Sequence, residues 1–385
     1  MTFGRRLGLT IWALVSAGLV WAAPAQGQRF DTPARFAVIM DATSGDVLFE
    51  KDADQPMAPA SMSKLMTMTL VFEALQSGAL SLDDELPVSE YAWRTGGAAS
   101  GSSTMFLDVN STAKVDDLLR GVIVQSGNDA CIVLAEAISG SEAAFAEDMT
   151  TRARELGLDT ATFRNSTGWP DPEHVISARD LARLAQYMIT QFPEYYPIYA
   201  EREFTYNGVR QFNRNPLLGR FDGADGLKTG HTEVSGYGLV GSAARGEDRR
   251  IIVINGLDST QARAQEAERM MRAAFAEFDL YNILPEGAEV GEANVFMGRS
   301  PTVALRLTED AQVGLHRRSR DRMTVSLIYD GPLRAPVLEG DQVGRLVVEA
   351  EGVTREFALE AAETVERQGP LGRAVTAAIT LLFGA

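Results

Sequence analysis

Three short stretches carry side chains that could do chemistry together: Ser61 and Lys64 in "PASMSKLMTM", Ser126 and Asn128 in "VQSGNDAC", and Lys228, Thr229 and Gly230 in "GLKTGHT". A serine hydroxyl is a poor nucleophile until a base takes its proton. Lysine is such a base only when neutral, and burial together with a second nearby cation lowers an amine's pKa toward that condition. Ser61 and Lys64 lie three apart, so on a helix their side chains share a face. The residues that follow, Leu65, Met66, Met68, Leu70, Val71, Phe72, Ala74 and Leu75, are apolar on every side and describe a helix buried all round that stops at Gly78. A lysine at the mouth of such a helix is costly to keep charged without a partner. Lys228 is the second cation expected beside it. A Ser-x-x-Lys spacing alone is a weak signal; the three stretches in this order are a strong one.

These residues need elements to position them. "RFAVIMDATSGDVLFEKD" reads as two strands around a turn at Ser44-Gly45, and the buried helix from Ser61 follows. "RTGGAASGSSTMFL" reads as a long loop, a common form for an active-site lid. "KVDDLLRGVIVQSGNDACIVLAEAI" predicts a helix, an interruption at Ser126-Gly127-Asn128, and a second apolar helix. "ARDLARLAQYMITQF" is amphipathic, "GYGLVGSAARGEDRRIIVINGLD" alternates like a strand hairpin, and "AQEAERMMRAAFAEF" predicts a long closing helix. Helices and strands together predict an α/β sandwich of roughly 250 residues. After Tyr281, "PTVALRLTED", "RMTVSLIYDG" and "GRLVVEAEGVTREFAL" alternate with no helix between them, which predicts a small β domain beyond "NILPEG".

The two ends of the chain bear on its location. Arg5 and Arg6, an apolar run to about Val20 and small residues at Ala22, Ala23 and Ala25 predict a secretory signal peptide over residues 1–27. Its removal would take the formal net charge from −16 to −18, a balance that excludes nucleic acid as a natural partner. A single cysteine, Cys131, can form no intramolecular disulfide and reads as a packing residue in an apolar run. His174, His231 and His316 are too widely spaced to suggest a zinc site. In the tail, a helix over 366–385 would gather Leu371, Val375, Ala378 and Leu382 into one stripe, with Arg367 and Arg373 near its start. Its apolar run is shorter than the ~20 residues needed to span a bilayer, and suits a helix lying in the membrane surface.

With the three motifs, the segments "NSTGWPDPEHVISARDLA" and "NRNPLL" resemble those of the low-molecular-mass penicillin-binding proteins, the D-alanyl-D-alanine carboxypeptidases of the cell wall. The likeness is specific over residues 35–280 and looser beyond. It implies an α/β sandwich of the serine β-lactamase/penicillin-binding (transpeptidase-like) type at 29–280, followed by a small all-β domain at 285–362 and an amphipathic membrane-anchor helix at 366–385. By resemblance Ser61 is the nucleophile, Lys64 its base, and Ser126, with Lys228, a relay to the leaving amine. Asn128, Arg214, Thr229, Gly230 and His231 would bind substrate: Asn128 holds the peptide group, Arg214 and Thr229 the terminal carboxylate, and the backbone N–H groups of Ser61 and His231 form an oxyanion hole. No cofactor and no metal are implied. The implied partners are a peptidoglycan stem peptide ending in D-Ala-D-Ala, β-lactam antibiotics and the periplasmic face of the inner membrane. A serine β-lactamase would share the three motifs but adds a carboxylate that activates the deacylating water, and no E-x-x-L-N element follows the second motif. A D,D-endopeptidase that cuts wall cross-bridges, or a catalytically silent penicillin-binding scaffold, would carry the same motifs.

Overall fold

The computed structural model describes residues 30–350 and 353–383; the expected signal peptide lies outside them. Five antiparallel strands form the central sheet, in the order Val47–Lys51, Phe36–Asp41, Asp248–Leu257, Gly236–Arg245, Ala224–Thr232. The first two are joined by the turn read at Ser44-Gly45, where Gly45 takes a φ of 81° that a side chain would disfavour. Strand Phe36–Asp41 is buried along its whole length. Phe36, Val38 and Met40 join a core with the helices Lys64–Gln76, Asn128–Ser139 and Ala178–Gln191, while Ala37 and Ile39 are buried on the opposite face. Helix Thr260–Ala276 packs on the same sheet through Met270 and Met271. Both faces being covered explains why "IIVIN" reads as a nearly continuous apolar run.

Helix Lys64–Gln76 is buried all round, as its composition demands, but it begins three residues later than Ser61. Ala60–Ser63 forms a 3-10 turn, so Ser61 sits on the turn and Lys64 opens the α-helix. Phe72 anchors the helix against Tyr195, at a centroid distance of 4.9 Å, and Phe192, at 5.4 Å. The glycine- and serine-rich stretch is only partly a loop. It begins inside a helix, Glu90–Gly96, and passes through a 3-10 turn, Ala98–Ser100, before turning irregular. Between the predicted helices lies a π-helical turn, Gly121–Gln125. Helix Glu142–Glu155 went unread in the sequence, although Phe145, Met149 and Ala153 recur at helical spacing behind an N-capping Ser141.

The chain ends in β structure. A six-stranded sheet runs Thr324–Tyr329, Gln342–Ala350, Val353–Ala361, Thr302–Leu307, Glu289–Phe296, Leu333–Arg334. Strand Phe278–Leu284 pairs with Ala311–His316 and so runs across the boundary expected near residue 281. Isolated pairings of Val365 with Val337 and Arg367 with Gly298 carry the β region past residue 362, and the last helix is Pro370–Phe383. Among the described residues no helix is long and apolar enough to cross a membrane.

Phe72→Ala removes a fully buried ring at the centre of the helical layer. It should cost about 3–5 kcal/mol of unfolding free energy, measured by urea denaturation followed through near-ultraviolet circular dichroism. A cost below ~1 kcal/mol would mean that the aromatic cluster does not hold this helix.

Candidate active site

The turn that presents Ser61 is held by backbone packing. Ala60 has a φ of 49°, unusual for a residue with a side chain, and Ser63 Oγ donates to Ala60 O at 3.0 Å. Gly168, in "NSTGW", abuts the same carbonyl: a Cβ there would lie 2.0 Å from Ala60 O. Asn165 Oδ1 shapes that segment by accepting from the N–H groups of Thr167, Gly168 and Trp169. Behind it, the buried Glu142 accepts from the Ser166 N–H and hydroxyl. His174 Nδ1 accepts from Arg164 N at 3.1 Å, and burial holds its pKa down to about 4, so the ring is neutral.

Lys64 is fully buried, and its Nζ reaches Ser61 Oγ at 3.0 Å, Asn128 Oδ1 at 2.7 Å and the Thr167 carbonyl at 2.6 Å. Two of these partners can only accept. They take two N–H bonds, leaving the third tetrahedral position for the Ser61 hydroxyl. In the neutral amine that position is the lone pair. Burial brings the Lys64 amine down to about 8, and the Arg214 charge pushes in the same direction.

The second motif follows the π turn. Ser126 adopts a left-handed φ of 67°, and Gly127 N–H bonds back to Gly121 O at 2.8 Å. Ser126 Oγ is buried and has no hydrogen-bond partner among the described residues. Asn128 N–H donates to Ser103 O at 2.7 Å, and the fully buried Asp129 accepts from Thr104 Oγ1, Met105 N and Leu107 N. The second motif and the serine-rich loop are thereby one rigid piece. The third motif lies on the edge strand Ala224–Thr232, where a Cβ on Gly230 would meet Pro59 O at 2.6 Å. Glycine lets this strand touch the Ser61 turn backbone to backbone.

Lys228 is buried, and its one hydrogen bond among the described residues, to Thr229 O, is long at 3.4 Å. Burial pushes its pKa well below the usual lysine range, with the Lys64 and Arg214 charges acting in the same sense. Lys64 has three oxygen partners, and the cation that weighs on it is Arg214. The Cys131 thiol is pushed up to about 12 by burial and stays protonated, in keeping with a packing role.

A cavity of about 720 Å³ opens over these groups. Of the residues read from sequence, Ser61, Ser126, Asn128, Arg214, Thr229, Gly230 and His231 line it, with Lys64 and Lys228 buried beneath. Arg214 stands exposed at the rim, its Nη1 donating to Ser103 Oγ at 2.7 Å. The His231 ring stacks on Tyr237 at 3.7 Å and bonds Gly236 O at 3.2 Å, so it is engaged outside the reacting centre. Arg263 also lines the cavity, with its Nε buried and unpartnered among the described residues. In the sequence it is one arginine of an amphipathic helix, with nothing to mark it. Thr167 and Trp169, also unassigned from sequence, lie within the quoted "NSTGW" segment. No aspartate or glutamate lines the cavity among the described residues.

The same architecture recurs in known proteins. A family model described as D-alanyl-D-alanine carboxypeptidase matches residues 22–259. The chain belongs to the D-alanyl-D-alanine carboxypeptidase family. A second model, the C-terminal domain of penicillin-binding protein 5, matches residues 278–367, which agrees with the strand that begins at Phe278. The chain is 37% identical to the D-alanyl-D-alanine carboxypeptidase DacA of Haemophilus influenzae, over 83% of this chain and 81% of that one. It is 38% identical to DacC of Escherichia coli, over 88% and 86%. Among solved structures, penicillin-binding protein 5 of Haemophilus influenzae superposes with a TM-score of 0.69 at 35% identity, covering 88% of this chain and 98% of that one. The family has the α/β domain followed by an all-β domain described above.

If the Lys64 amine must be neutral to take the serine proton, acylation should rise about tenfold per pH unit below its pKa and level off above about 8. Stopped-flow acylation by a chromogenic cephalosporin would trace the profile. Lys64→Arg keeps a cation but removes a usable base, and should lower the rate by orders of magnitude at every pH. A flat profile, or an arginine variant of normal rate, would make the lysine structural.

Proposed function

We propose that this chain is a serine-type D-Ala-D-Ala carboxypeptidase, which removes the terminal D-alanine of peptidoglycan pentapeptides through an acyl-enzyme on Ser61. The observation that carries the reading is the setting of Lys64 Nζ, which has two positions committed to fixed oxygens and the third aimed at Ser61 Oγ, 3.0 Å away. Ser61 Oγ attacks the carbonyl of the penultimate residue as its proton passes to Lys64. The oxyanion is received by the backbone N–H groups of Ser61 and His231, donors worth about 3–4 kcal/mol each in such sites. Ser126, buried and unbonded among the described residues, then carries a proton to the departing amine together with Lys228. Asn128, whose Oδ1 is taken by Lys64, turns its amide N–H groups to the substrate. Arg214 and Thr229 hold the carboxylate of the leaving D-alanine. A cavity lined, among the described residues, by two arginines and no acid supports an anionic substrate, and the lack of a carboxylate among them disfavours a β-lactamase.

The same reading takes residues 1–27 as a signal peptide removed on export and 29–280 as the peptidase domain. It places the enzyme on the periplasmic face of the inner membrane, attached through helix Pro370–Phe383. Leu371 is 85% and Val375 59% exposed, one turn apart on the same side, so this face is open to a lipid surface. Arg373 follows within the first turn.

Two experiments test the proposal. Treated with penicillin, the protein should carry the acyl adduct on the peptide containing Ser61 and should release D-alanine from a D-Ala-D-Ala pentapeptide; an adduct on Ser63 or Ser126 sinks the assignment, and acylation without D-alanine release favours the scaffold. A chain ending at Glu366 should be soluble and fully active on peptide while the longer one sediments with membranes; equal solubility of the two would refute the anchor.

A further inference from the structure

Beyond the turn that follows His231, a second groove of about 490 Å³ opens. It adjoins the catalytic cavity, since His231, Thr232 and Tyr237 line both, and the stacked rings of His231 and Tyr237 form the sill between them. Charges of both signs surround it. Arg35 precedes strand Phe36–Asp41, Glu233 lies in the turn after the edge strand, and Asp258 follows strand Asp248–Leu257. All three are exposed, and none makes an ion pair among the described residues. Arg35 is nonetheless held in place. Its N–H donates to Asn255 O at 2.9 Å, its guanidinium lies 5.3 Å from the Phe36 ring centre, and its stem packs against Gly256, where a Cβ would lie 2.5 Å from that of Arg35.

This arrangement bears on the substrate, and the argument rests on the carboxypeptidase reading. That reading puts the terminal carboxylate at Arg214 and Thr229. The acyl arm of the peptide therefore leaves the other way, past His231, which lies two residues or about 7 Å further along the edge strand, and into the second groove. Stem peptides carry a diamino acid before the D-Ala-D-Ala unit. Its side chain ends either in an ammonium alone or in a complete amino-acid head group. We propose that the second groove is the subsite for this residue and selects the head group bearing both charges, with its carboxylate on Arg35 and its ammonium on Glu233 and Asp258. A side chain ending in an ammonium alone leaves Arg35 without a partner.

The test measures kcat/KM of the full mature chain for two pentapeptides that differ only in that side chain, one ending in ammonium and carboxylate, the other in ammonium alone. Exposed ion pairs contribute up to about 1 kcal/mol, so the wild-type preference should be roughly fivefold at low salt and should shrink as salt is added. Arg35→Ala should bring the ratio to about one, and Arg35→Glu should reverse it. Glu233→Gln with Asp258→Asn should lower kcat/KM for both peptides. Each variant is checked for an unchanged far-ultraviolet circular dichroism spectrum. An active enzyme that does not distinguish the two peptides, or variants that keep the wild-type ratio, overturns the proposal while leaving the carboxypeptidase reading intact. A wild-type chain that neither releases D-alanine from either peptide nor is acylated by penicillin at Ser61 brings down both.

Discussion

An amine buried at the foot of a hydroxyl is the constraint on which the rest of this structure depends. Isolated in an apolar interior, an ammonium is so costly that it loses its proton instead. Lys64 is kept between those limits by two oxygens, the Asn128 amide oxygen and the Thr167 carbonyl. Each comes from a segment remote in sequence, so the position of one nitrogen ties together the start of the buried helix, the helix after the second motif and the "NSTGW" segment. Lys228 is also buried and has one long bond among the described residues, and burial pushes its pKa well below the usual lysine range.

Holding three segments to hydrogen-bond tolerance around one nitrogen requires close backbone approach, and glycines permit it at each junction. Gly168 lies against Ala60 O and Gly230 against Pro59 O, while a Cβ on Gly96 would fall 2.4 Å from Asp129 N. The last contact locks the helix of the serine-rich stretch to the second motif, where Asp129 gathers three further donors from residues 104–107. The surrounding core of methionine, leucine and phenylalanine makes these junctions stiff, because a close-packed interior transmits a displacement instead of absorbing it.

How much of this was legible in the sequence follows from the range of each interaction. The buried helix was plain because composition alone fixes an all-apolar cylinder, and the central strands because branched residues recur in short runs bounded by turns. The three motifs were legible as residue types in order. The partners of Lys64 were not, since the Thr167 carbonyl it bonds is a backbone group that any residue could supply. Arg263 was illegible for a related reason, since its helix places one arginine toward the cavity among others toward solvent. Helix Glu142–Glu155 was legible and missed, its Phe145, Met149 and Ala153 stripe diluted by charged neighbours. The domain boundary escaped because strand Phe278–Leu284 follows the closing helix directly, and its pairing with Ala311–His316 is a long-range fact.

The absence of acidic groups from the cavity lining among the described residues bears on the second half of the proposed reaction. Hydrolysis of an acyl-enzyme needs a base for the incoming water, and among the described residues no carboxylate lines the cavity to act as one. On the proposed reading the first half-reaction leaves a proton on Lys64, which reaches the departing amine by way of Ser126 and restores the neutral amine. A water taking the place of the departed amine then meets the same relay in reverse: the acyl carbonyl still faces the two backbone donors, and the water's proton follows the path by which the amine received its own. One buried lysine thus serves as base for both halves, as microscopic reversibility allows. The cost is a deacylation that works only for a leaving group that departs fully. A β-lactam keeps its leaving nitrogen tethered to the acyl group, near the place where water must enter. The same site can therefore turn over a peptide and remain acylated by penicillin, with no difference in its residues required to explain the two outcomes.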